Sequence, residues 1–191
     1  YQCDKVTPAW ECFGGGISCE AAHLSVPLDL TLPETLQYQM ASAVLPAKRR
    51  GSNAIELDNY NLFNEWSACG SFSGPGGAWV QRYNSTDPKS DHQYVLDVLN
   101  WTKRFVAASH QVGMLVLPNW SVLDYQNNDV AEALALFDGV FAESGFAEWC
   151  PIPNTSSFAT PPRMTTAPMF DQQVEFIRHL QRLGKAYFAF N

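Results

Sequence analysis

The chain has 191 residues, 46% of them apolar and 16% charged, with a formal charge of -7. That length holds one domain with a sizeable core, and the composition is globular rather than disordered. The acidic balance argues against a nucleic-acid partner, because phosphate binding needs a basic face. No apolar run reaches the ~18 residues that a membrane span requires.

Residues 1–22 read as an irregular, cysteine-containing segment with Cys3, Cys12, Cys19 and Gly14-Gly15-Gly16. Residues 23–191 read as one domain. "HLSVPLDL", 23–30, is expected as a short strand ending near Asp29. Thr31-Leu32-Pro33-Glu34 fits a capping box with proline in the first turn, and opens a helix to about residue 50. Lys48-Arg49-Arg50 is the one basic run. It falls at the helix end, where cations suit the dipole. Gly51 ends the helix. "NAIELDN", 53–59, is the next strand, and it places Glu56 and Asp58 in an otherwise apolar run. Burying an ionised carboxylate costs several kcal/mol unless something compensates it, so these acids are expected to face a polar site.

Residues 60–90 are expected as a long loop rich in Gly, Ser, Asn and aromatics, and a loop of that length is usually functional. Its "SGPGG" is no phosphate loop, since no GK[ST] follows. Ser90-Asp91 is expected to cap a helix whose core positions are Val95, Val98, Leu99, Phe105 and Val106, with Gly113 closing it. "MLVLPNW", 114–120, is a strand, 129–137 a short helix and 138–144 another strand. A Pro- and Thr-rich loop follows. The last helix presents Phe170, Val174, Ile177, Leu180 and Leu183, Gly184 caps it, and "KAYFAFN" is a final strand.

Strands alternating with helices imply a parallel sheet, whose functional residues gather at the C-terminal strand ends. Those ends are Asp29, Asp58-Asn59, Asn119-Trp120, Glu143 and Asn191, each an acid or amide. The fold expected is α/β, a (β/α)8 TIM barrel of which the chain covers the middle and late βα units. A doubly wound five-stranded sheet is the alternative. Aromatics crowd the same loops: Tyr60, Phe63, Trp66, Trp79, Trp120 and Trp149. Such rings suit the C–H faces of sugars, or else pin loops to the sheet. Four sequons, at Asn84, Asn100, Asn119 and Asn154, and five scattered cysteines point to a secreted, disulfide-bearing glycoprotein. No metal motif and no GxSxG elbow occur, so no cofactor is expected. His110 and His179 lie on helices and are expected to be solvated.

The segment "PLDLTLPETLQYQMASAVLPAKRRGSNAIELDN", with "HQVGMLVLPN" and "FDGVFAES", resembles glycoside-hydrolase-type TIM barrels. It is similar to the endo-α-1,4-polygalactosaminidase family and neighbouring glycosyl-hydrolase families, over about residues 23–150. The resemblance implies that Asp58, in "ELDN", and Glu143, in "AES", are the catalytic pair, with Asp58 as nucleophile and Glu143 as acid/base. Asn59 and Asn119 match polar positions of the same mouth. The strand-end Asp29 and the loop aromatics Tyr60, Trp66 and Trp120 are the further expected substrate contacts, with Trp120 the best candidate for a sugar platform. The family pattern has "EPDN" where Leu57 stands and "NEQ" where "AES" stands, which leaves the substrate open. The -7 charge suits a cationic amino-sugar polymer. The expectation is a secreted glycosidase acting on a polysaccharide. The alternative is a non-catalytic glycoprotein module in an extracellular assembly or carbohydrate-binding role. Further expectations are a bridge between Cys69 and Cys150 across the mouth, a glycan on Asn84 rather than Asn119, and an outcome at Asn100 set by the helix face it occupies.

Overall fold

The computed structural model describes residues 11–13, 23–25, 29–58, 60, 62, 69–72, 78–84, 86–120, 125–143, 147–148, 163–164 and 167–190. The chain divides into two compact units, Tyr1–Ala41 with Asn61–Arg104, and Ser42–Tyr60 with Phe105–Asn191. No helix among the described residues is long and apolar enough to cross a membrane.

In the first unit, β1 (Glu11–Phe13) pairs antiparallel with β2 (His23–Ser25). The strand expected over 23–30 is therefore short and belongs to a hairpin-like pair. Helix α1 (Pro33–Gln39) follows, with Leu32 as its N-cap and no side-chain cap bond. The expected capping box does not form. The Thr31 hydroxyl instead donates to Asp29 Oδ1 at 2.6 Å, so it is already committed. The stretch expected as a loop over 60–90 contains an antiparallel hairpin, β4 (Cys69–Phe72) and β5 (Trp79–Tyr83). Neither strand alternates apolar and polar residues cleanly, so no period-2 signal marks it. Helix α3 (Pro88–Gln111) starts at a proline in the first turn, and Asp87 accepts from the Lys89 amide. The start thus lies earlier than the expected Ser90-Asp91 cap.

The first helix does not run evenly to residue 50. Met40–Val44 is a π-helical stretch, and α2 (Leu45–Arg49) continues from it. Pro46 has no N–H to donate, so an ordinary ladder cannot pass through this point.

The second unit is built on parallel strands. β3 (Ala54–Leu57) pairs with β6 (Leu115–Pro118), and β7 (Gly139–Glu143) pairs with β10 (Ala186–Phe190). A parallel bridge, Asn119 to Phe141, joins β6 to β7. Among the described residues these four strands therefore neighbour one another in chain order, β3-β6-β7-β10. Among the described residues they do not close into a barrel. Two minor strands, β8 (Ala147–Glu148) and β9 (Arg163–Met164), pair antiparallel.

Strand alternation sorts this sheet into two faces. Val116, Pro118, Val140 and Ala142 share one parity and are fully or almost fully buried. Phe105, Val106 and Ser109 of α3, Ala133 and Leu134 of α4 (Asn128–Leu136), and Phe176 and Leu180 of α5 (Ala167–Arg182) are buried with them. The other parity is open, with Leu115 50% and Phe188 51% exposed. Helix α5 shows its expected period in a different phase. Gln173, Phe176 and Leu180 are buried, whereas Phe170 and Leu183 are exposed. Gln173 can be buried because its amide donates to the Tyr187 hydroxyl.

Three of the helices that feed a parallel strand, α2, α3 and α5, end the same way, whereas α4 leaves through an extended Phe137. Gly113 takes a φ of 71°, its amide donates to His110 O, and the Met114 amide reaches back to Ser109 O at 3.0 Å. That is the Schellman arrangement, which needs the left-handed conformation that glycine tolerates. Gly51 and Gly184 repeat it.

Candidate active site

Asp58 directly follows β3, and Asn119 directly follows β6. Continuing the Leu57–Pro118 register by one residue sets them side by side. Asn119 Nδ2 donates to Asp58 Oδ1 at 3.1 Å. The backbone closes around this pair: Asn119 N donates to Leu57 O at 2.9 Å, and Trp120 N to Phe141 O at 2.8 Å. Asn119 is thus fixed from both neighbouring strands. Asp58 is exposed and Asn119 half-buried, so the pair meets solvent. Glu56, two residues before Asp58, has the same parity and is also exposed.

Glu143 is the last residue of β7 and pairs with Phe190 in register. Its backbone is described and its carboxyl group is not. It stands two residues past Phe141, the bridge partner of Asn119, and so has the strand parity of Asn119 and Asp58. Strand β6 lies between the strands that carry the two acids.

Tyr60 and Trp120 form a different arrangement from an open sugar platform. Trp120 is 9% exposed and Tyr60 7%. Their rings meet edge to face at 4.9 Å, and each meets Phe137 in the same manner at 6.2 and 5.0 Å. This cluster packs the chain behind the ends of β3 and β6. Two aromatics that the sequence did not single out stand in the row of the polar pair. Asp58, Asn119, Phe141 and Phe188 occupy equivalent positions on four consecutive strands. Phe141 is half-buried and Phe188 is the more open ring. Counting back two residues from Glu143 was the signal that finds Phe141.

Asp29 lies in the first unit and serves a helix start. Its Oδ1 accepts from the Thr31 amide at 2.9 Å and from the Thr31 hydroxyl. Its carbonyl accepts from the Thr35 hydroxyl at 2.5 Å, and Arg82 approaches Oδ2 at 3.5 Å. Asn59, Trp66, Asn154 and Cys150 lie outside the described residues, as does the side chain of Cys69. The expected bridge therefore falls outside them too.

The opposite, N-terminal ends of the strands are tied by charges. Asp138 Oδ2 accepts from the Val116 amide at 2.8 Å and faces His110 Nε2 at 2.9 Å. His110 is therefore paired as well as partly solvated, and His179 stacks on Tyr125 with centroids 4.4 Å apart. Lys185 donates to the carbonyls of Ala135 and Phe137, at the end of α4. Burial lowers its pKa from the ordinary lysine value, and the Asp138 charge opposes that shift.

No protein-family model matches the chain, and no curated protein or solved structure matches it either.

Proposed function

We propose that the chain is the middle and late portion of a (β/α)8 glycoside hydrolase that acts outside the cell on a polysaccharide. Asp58 and Glu143 are its carboxylate pair. The observation that carries this reading is the Asn119–Asp58 hydrogen bond at the C-terminal ends of neighbouring parallel strands, with the strand that ends in Glu143 next in order. Chain-order strand neighbours are what a barrel segment has, and the C-terminal ends are where barrels place their chemistry.

Glycoside cleavage needs one carboxyl group to protonate the leaving oxygen, and another to attack the anomeric carbon or activate water. Parallel strands stand ~4.8 Å apart, so acids on strands flanking a third fall within the range that one glycosidic bond requires. In this reading Asp58 is the nucleophile, and Asn119 holds the plane of its carboxylate through Oδ1. Glu143 is the acid/base. Phe141 and Phe188 offer apolar ring surface beside the polar pair, matching the mixed faces of a sugar. The acidic charge favours a cationic, amino-sugar polymer.

The test is incubation of the protein with a panel of polysaccharides, chitosan-like and galactosamine polymers included, followed by measurement of new reducing ends. Hydrolysis is expected. Asp58→Asn keeps the side-chain shape and is expected to lower turnover by several orders of magnitude with the circular dichroism unchanged. Glu143→Gln is expected to hurt most on substrates with poor leaving groups. Wild-type rates in both variants would make the pair structural. Sugar binding without any hydrolysis would favour the non-catalytic module.

A further inference from the structure

Sequons are recognised on the unfolded chain, so the folded structure decides which of them can carry a sugar once folding is complete. Asn100 lies on α3, within Asn100-Trp101-Thr102. Its neighbours are buried: Trp101 is 6% exposed and donates from Nε1 to Gln39 at 2.9 Å, and Thr102 is wholly buried with its hydroxyl on Val98 O. Asn100 itself is exposed. The helix therefore turns the recognition residues inward and the acceptor outward. Leu96, one turn earlier on the same face, is 38% exposed. Helical side chains lean toward the N-terminus, so a sugar on Asn100 would lie along Leu96.

Asn84 is also compatible with a sugar. The Thr86 amide and hydroxyl both donate to its Oδ1, at 3.0 and 2.7 Å. That oxygen is the atom glycosylation leaves in place. Asn119 is the opposite case. It is half-buried between two strands, and its Nδ2, the atom to be modified, donates to Asp58.

We propose that Asn100 carries an N-linked glycan, together with Asn84, and that Asn119 does not. The donor is a lipid-diphosphate-linked oligosaccharide. A bond forms between Nδ2 and the anomeric carbon, the anomeric C–O bond to the diphosphate breaks, and the lipid diphosphate leaves with the electron pair. One amide proton is lost to a base. The inference needs passage through a secretory compartment and is independent of the hydrolase reading.

The full chain, secreted from a eukaryotic host, is treated with peptide N-glycosidase in heavy-oxygen water. Mass spectrometry then reads the conversion of each sequon asparagine to labelled aspartate. Most copies are expected to be converted at Asn84 and Asn100, and few at Asn119. Asn100→Gln is expected to remove one step of electrophoretic mobility and leave secretion intact, because it spares Trp101 and Thr102. An unmodified Asn100 beside a modified Asn84 overturns the proposal. So does a modified Asn119 in most copies, or no modification at any site while a control glycoprotein from the same cells is occupied.

Discussion

Asp138 holds two partners through one oxygen, the Val116 amide and the His110 ring. Val116 is fully buried, so removing the acceptor leaves a strand N–H without its bond. Asp138→Ala is expected to cost about 1–3 kcal/mol, the usual penalty for an orphaned buried donor. Asp138→Asn keeps an acceptor oxygen and is expected to cost less. Urea denaturation of the two variants distinguishes the lost hydrogen bond from the lost charge. Tyr187 predicts a pH effect. Burial raises its phenol above the ordinary value of 10.0, while the bond from Gln173 opposes that shift. Between those two values the unfolded chain has lost the proton and the folded chain keeps it. Stability is therefore complete below pH 10.0 and falls as pH rises through the folded value. Tyr187→Phe is expected to flatten that alkaline decline. Melting temperatures from pH 9 to 12, about that range being where phenols titrate, measure it.

At the scale of elements, the start of β7 leaves no room for a side chain at Gly139. A Cβ on Gly139 would lie 2.5 Å from the Ala186 carbonyl oxygen of β10. Backbone cannot yield as a flexible side chain can, so Gly139→Ala is expected to destabilise by about 1–3 kcal/mol, or to break the β7–β10 pairing. Thermal unfolding, with hydrogen exchange at β10 amides, reads both outcomes. Elements with a strong local cause were legible in the sequence. Helix α3 announced itself by Val98, Leu99, Phe105 and Val106, all buried. The turns at Gly51, Gly113 and Gly184 each required a left-handed residue. The Asp58 and Asn119 positions followed from the ends of two apolar runs. What long-range partners decide was not legible. The phase of α5 depends on Tyr187 accepting a bond from Gln173, and the β4–β5 hairpin depends on pairing rather than on pattern. The Tyr60–Trp120–Phe137 cluster was visible as three aromatics, but its burial was not. The role of Asp29 at a helix start was hidden by its place after an apolar run.

At the scale of the sheet, the open parity unites acid, amide and exposed aromatic positions, whereas the buried parity is apolar apart from the Tyr187 hydroxyl, which accepts from Gln173. Substitutions that enlarge or shrink Val140 or Val116 act on packing. If the proposed site is right, substitutions at Asp58 or Asn119 are expected to affect turnover far more than stability. Chain-order neighbours also set an order of assembly. Asn119 meets Phe141 after 22 residues of chain (141 − 119), whereas Ala54 meets Leu115 after 61 (115 − 54). Closing the longer loop costs about 0.9 kcal/mol more in chain entropy, since each doubling of length adds about 0.6 kcal/mol. Within this sheet the β6–α4–β7 segment is thus expected to form before β3 docks onto it. Val140→Ala is expected to slow folding, and Ile55→Val mainly to speed unfolding, in stopped-flow chevrons. The Asn119–Asp58 bond spans the late junction, so it forms only after the segment that presents Asn119 is already built. The proposed site would then be among the last features of this sheet to appear during folding and the first to be lost as it opens.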